Sequence, residues 1–142
     1  MKKVTANRQN CRREMTQIYR ALKKYAGKNQ GAFPAEAGSA GWKKLTAAVK
    51  TALPSGDRYI YLGYEKKFAA EKNVPLLLDV PAAHDDHFCV MYTDGTVREF
   101  KLVNPGSCRR MISFLFTVHR WNMDVFQYLI RQVEILDGQP LK

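Results

Sequence analysis

Apolar residues near the start of the chain recur at steps of three and four: Cys11, Met15, Ile18, Tyr19, Leu22, Tyr25 and Ala26, with Arg12, Arg13, Lys23 and Lys24 between them. This period predicts an amphipathic helix over 7–26 with one buried stripe. Gly27, Gly31 and Pro34 supply the residues that stop it. A second, shorter helix is predicted from Gly41 to Thr51, because Trp42, Leu45 and Val49 share a face and Pro54-Ser55-Gly56 closes the segment.

The period then changes. RYIYLGY and VPLLLDV are β-forming runs, with Pro75 marking either a strand start or a sheet edge, and the sheet region is placed at 58–103. FCVMYTDGTVREF predicts a hairpin over 88–100 whose Asp94-Gly95 pair fits a two-residue type I′ turn. Alternation puts Phe88, Val90 and Tyr92 on one side of the incoming strand and Cys89, Met91 and Thr93 on the other. On the outgoing strand Val97 and Phe100 are the expected buried positions.

Helical spacing returns after Asn104-Pro105-Gly106, over 107–137. Ser107 is the expected N-cap of a helix carrying Met111, Ile112, Leu115, Phe116 and His119 on one face. Val125, Tyr128, Leu129, Val133 and Leu136 define a further helix, separated by a bend at Trp121–Met123 for which Asn122 and Asp124 are candidate caps. The sum is one α+β domain spanning 1–142, with helices packed on an antiparallel sheet.

Composition adds a charge question. Lys and Arg number 23 against 13 Asp and Glu, for a formal net charge of +10, which makes nucleic acid, an anionic surface or an acidic partner physically plausible. The basic residues are spread along the chain, so a solvated basic face is the plainer account. Cys11, Cys89 and Cys108 have no CxxC or Cys/His spacing, which excludes zinc-knuckle and thioredoxin-type motifs. No apolar run approaches the ~20 residues of a membrane span, and MKKVTANRQN lacks a signal-peptide core, so the chain as written is expected to be soluble.

The densest chemistry lies in HDDHFCVMYTDG. His84, Asp85, Asp86 and His87 are ligand types for a divalent ion, with Asp94 able to approach from the hairpin, and this gives a metal-dependent hydrolase as the lowest alternative. Against it, adjacent residues of an extended chain point to opposite sides. Cys89 near His87 resembles a nucleophile beside a base, but a Cys within a strand is ordinarily a small buried apolar residue. No GxSxG, GxxxxGK or GxGxxG element occurs; no enzyme activity and no cofactor are expected. Tyr59, Tyr61 and Tyr64 beside Arg58, Lys66 and Lys67 could stack and neutralise single-stranded nucleic acid, or pack as strand aromatics on the first helix, the favoured reading. His119 is expected to be a half-buried core residue.

Three features resemble one family in the same order. CRREMTQIYRALKKYAGKNQGAFP resembles the post-membrane helix of type IV pilin-like and type II secretion pseudopilin-like proteins, VPLLLDVPAAH resembles their next segment, and His84 followed nine residues later by Asp94-Gly95 fits the prepilin-type H-x9-DG signature. The resemblance implies a noncatalytic globular head of an envelope filament or type II secretion-like assembly, with other pilin-like subunits or assembly proteins as partners. It implies structural roles for His84, Asp94 and Gly95, and an exported head anchored in the inner membrane at full length. Calcium-binding relatives leave a structural divalent ion near Asp85 or Asp86 open, and export would favour a disulfide between Cys11 and Cys108. The family's leader and hydrophobic helix are not in this chain. The alternative from another class is a basic module for nucleic acid or an acidic polymer.

Overall fold

The structure, a computed structural model, describes residues 2–48, 59–68, 70–79, 86–103 and 106–136. Two helices come first, α1 (Lys2–Lys28) and α2 (Ser39–Ala48), followed by β1 (Tyr59–Tyr61), β2 (Pro75–Asp79), β3 (His87–Tyr92) and β4 (Val97–Lys101), and then by α3 (Cys108–His119) and α4 (Met123–Leu136). The four strands pair in chain order as an antiparallel meander. This is the predicted α+β class.

The helices cover both faces of the sheet. Met15, Ile18, Leu22 and Ala26 of α1 and Trp42 and Leu45 of α2 pack on Tyr59, Tyr61, Leu77, Cys89 and Met91. Met111, Ile112 and Leu115 of α3 and Val125, Leu129 and Val133 of α4 pack on Ile60, Leu78, Phe88, Val90 and Tyr92. A strand buried on both faces has no polar side to show, and this is why PLLLD and HFCVMY are buried throughout. The alternation expected along β3 holds. Val97 and Phe100 on the edge strand β4 are half-buried, each packed against a different cluster, because β4 has a strand neighbour on one side only.

Local chemistry accounts for the boundaries. α1 begins earlier than 7–26 because Lys2–Ala6 contain no helix breaker, although they lie outside the apolar stripe that sets the sequence estimate. It closes where Gln30 and Gly31 take positive φ and the Gly31 N–H reaches back to the Ala26 carbonyl at 2.8 Å. Ser107 caps α3 by accepting from the Arg110 N–H, and Arg120 ends it in the left-handed region. The bend before α4 is fixed by Asn122, whose side-chain oxygen accepts from the Val125 N–H at 3.0 Å. The second predicted helix stops at Ala48; its last predicted turn, up to Thr51, lies outside the described residues.

Two strand features depart from simple reading. Pro75 starts an inner strand, not an edge, and the pairing shifts by one residue between Pro75 and Leu77. That bulge places Leu76 and Leu77 in the same cluster beneath α1, where strict alternation would separate them. The Asp94-Gly95 turn is also not type I′, which requires positive φ at both central residues. Gly95 has φ +89°, while Asp94 is not among the positive-φ residues, and the bonds Gly95 N–H to Tyr92 O and Tyr92 N–H to Thr96 O, both 2.9 Å, enclose a three-residue loop. This is a type I turn at Thr93-Asp94 followed by a glycine bulge; the Asp94 carboxylate is satisfied by the Thr96 N–H at 2.9 Å.

Candidate functional site

His84 and Asp85 lie outside the described residues. Asp86 is exposed at the entrance to β3, its carboxylate 2.7 Å from Nδ1 of His87, whose ring is 2% exposed. Asp94 and Gly95 stand at the far end of the same strand, about 20 Å away by strand rise. The approach of Asp94 to Asp86 and His87 is therefore corrected: the hairpin separates them, because the turn reverses the chain at the end opposite the strand's entry. Among the described residues no group of three His, Cys, Asp or Glu side chains converges as metal ligands would.

Sequence reasoning missed a polar row inside the molecule. Register sets Tyr59, Asp79, Cys89 and Glu99 side by side across the four strands on the face covered by α1, with His87 two residues along from Cys89 on that face. Asp79 is fully buried and its Oδ2 accepts the Cys89 backbone N–H at 2.7 Å; the Tyr59 hydroxyl donates to Glu14 of α1. The row ties three strands and the helix together with directional bonds. Its only signal in the sequence is the acid that ends the apolar run PLLLD.

A surface site forms at the turn end of the sheet. The Tyr19 ring of α1 lies so close to Gly95 that an added Cβ would meet it at 2.5 Å, and the Tyr19 hydroxyl donates to the Thr93 carbonyl at 3.3 Å. Burial, with the Asp94 carboxylate adding to it, pushes the Tyr19 hydroxyl pKa up. Phe33 meets Tyr19 and Tyr64 edge-to-face at centroid distances of 6.1 and 5.2 Å. These rings wall a groove of about 520 Å³ that also takes in Lys23 and Lys72. The segment 71–73 forms its rim and is pinned from behind: the Trp121 indole N–H donates to the Asn73 carbonyl at 2.7 Å, and Asn122 donates to Glu71 at 3.2 Å.

The aromatic stretch RYIYLGY divides. Tyr59 and Tyr61 are core residues, the latter donating to the Pro34 carbonyl at 2.6 Å, so neither ring is presented for base stacking, in line with the favoured strand reading. Tyr64 alone reaches the groove. Arg58 lies outside the described residues. His119 is half-buried as expected, with Nε2 2.5 Å from the Tyr92 hydroxyl and its ring edge-to-face with Tyr92 and Phe100. Burial, reinforced by Arg98, lowers its pKa. Cys89 and Cys108 are buried in clusters on opposite faces of the sheet, and the Cys11 side chain is outside the described residues.

Helical pairs on both faces of a four-stranded antiparallel meander define the chain as an α+β protein. The chain matches no family model, no curated protein and no solved structure.

Proposed function

We propose that the chain is a noncatalytic pilin-like globular head, a subunit or accessory part of an envelope filament or type II secretion-like assembly. One observation carries the reading: the Asp94-Gly95 turn of the H-x9-DG pattern rests against Tyr19 of the long N-terminal helix, at a separation that only glycine allows. In that role the turn is a structural latch between helix and sheet. The 27-residue α1, about 40 Å long, supplies the helix that such heads extend toward a membrane anchor. Among the described residues no helix is long and apolar enough to cross a membrane.

The reading frame upstream of Met1 tests this. A continuous frame encoding a basic leader and an apolar helix of ~20 residues is the expected result. A ribosome-binding site placed directly before Met1 overturns the filament-subunit reading.

A further inference from the structure

We propose that the groove between α1 and the hairpin turn is a binding site for an acidic sugar unit, such as a uronate within an anionic polysaccharide. The groove's volume of about 520 Å³ lies within the range of small-ligand sites. Its aromatic wall comes from three separate segments, with Tyr19 on α1, Phe33 in the loop after it, and Tyr64 after β1. Interplanar angles of 63° and 72° mean that the three rings form no parallel slot, and the half-buried Tyr19 and Tyr64 are the rings that reach solvent beside the buried Phe33. Single faces suit the C–H surface of a pyranose, whereas a nucleobase gains most between two parallel planes.

Charge selects an acidic sugar over a neutral one. Asp94 and Glu71 face the groove, but each already accepts an internal hydrogen bond, from the Thr96 N–H and from Asn122. Lys23 and Lys72 line the same groove and form no ion pair among the described residues. The groove's own charges balance, two ammonium groups against two carboxylates that keep their charge, and what favours an acidic ligand is that the lysine donors are free while each carboxylate already holds one donor. The net charge of +10 raises the local concentration of any polyanion carrying such units.

A second feature shares Tyr64 and Thr93 with the groove. It is a small cavity of about 10 Å³, lined also by Glu65, Phe68 and Tyr128. Tyr128 is 4% exposed, and its hydroxyl has no hydrogen-bond partner among the described residues. An unmatched buried hydroxyl costs stability, and a space of this size takes one oxygen. A sugar hydroxyl entering past Tyr64 and Thr93 would supply that partner while the ring lies on the aromatic wall and its carboxylate meets Lys23 and Lys72. The site stands apart from any filament role, since it needs only the folded chain.

Titrating trigalacturonate, a neutral galactose trisaccharide and AMP into the ¹⁵N-labelled chain tests the proposal. Trigalacturonate should shift the amides of Gly31, Asn73 and Thr93 saturably, with affinity falling as salt rises. Lys23→Ala and Lys72→Ala should each weaken binding about fivefold. Tyr128→Phe, which keeps the ring and the packing, should weaken it about three- to tenfold. The proposal is overturned if trigalacturonate gives no saturable shifts, if the neutral sugar or AMP binds as tightly, or if the lysine variants or Tyr128→Phe bind as the parent does.

Discussion

The two faces of the sheet are built by different physics. Beneath α3 and α4 the interior is almost wholly apolar, with Phe88, Val90, Leu115, Leu129 and Val133 in contact, and its polar bonds sit toward the margins, as in Gln132 to the Leu62 carbonyl and Trp121 to the Asn73 carbonyl. Beneath α1 the core contains Asp79 and His87, the buried charged or ionisable residues of the described chain apart from its tyrosines and cysteines, and Tyr59 and Tyr61 reach out of it to Glu14 and to Pro34. Apolar contact is non-directional and tolerates small slides, whereas a buried hydrogen bond is satisfied in one arrangement only. The α1 face therefore sets the register and the helix position through directional bonds, and the α3–α4 face holds its helices by apolar contact.

A pair of substitutions separates the two contributions. Phe88→Ala removes a fully buried ring on the apolar face and should cost about 3–5 kcal/mol in urea-induced unfolding. Asp79→Ala takes the carboxylate acceptor from the Cys89 N–H and should cost about 1–3 kcal/mol. Asp79→Asn, which retains an oxygen, should recover part of that loss. Equal costs for Phe88→Ala and Asp79→Ala, with no recovery in Asp79→Asn, would remove the distinction.

The latch between α1 and the hairpin comes next in size. Gly95→Ala places a Cβ at φ +89° and against the Tyr19 ring, so the backbone alone should cost about 1–2 kcal/mol. Repeating the substitution in a Tyr19→Ala background should remove the steric part and leave the backbone part, a coupling readable from the four unfolding curves. Strict additivity would mean that the turn does not bear on the helix.

The sequence made the periodic parts of this fold legible and the non-periodic ones obscure. The stripe from Met15 to Ala26, the alternation from Phe88 to Tyr92 and the Ser107 and Asn122 caps depend on spacing along one segment, and each reads correctly. The turn type does not, because Asp-Gly suits both a type I′ turn and a type I turn with a glycine bulge, and the choice rests on which residue of the partner strand pairs with Tyr92. The Leu76 bulge is hidden for the same reason. Both candidate sites depend on long-range juxtaposition: the polar row exists through the register of four strands, and the groove joins residues 19, 33, 64 and 94. The HDDH cluster misleads in the opposite direction, since neighbours in sequence such as Asp86 and His87 differ sharply in exposure.

His119 provides the finest test of the contrast, because it sits where the apolar face meets solvent. Its ring packs on Tyr92, Phe100 and Trp121, and burial followed by the Arg98 charge favours the neutral form. Its pKa in the fold thus lies below the ordinary 6.5. With the folded pKa depressed, the unfolded chain binds more protons as pH falls, so the stability present in full above pH 6.5 declines from there toward the folded pKa. The effect should be smaller than those of the substitutions above, and an imidazole NMR titration reads it directly. Arg98→Ala should move the midpoint upward by removing the neighbouring positive charge, but should leave it under the ordinary value because burial is the larger cause. A midpoint at or above 6.5 in the parent protein would overturn burial as the dominant influence on His119.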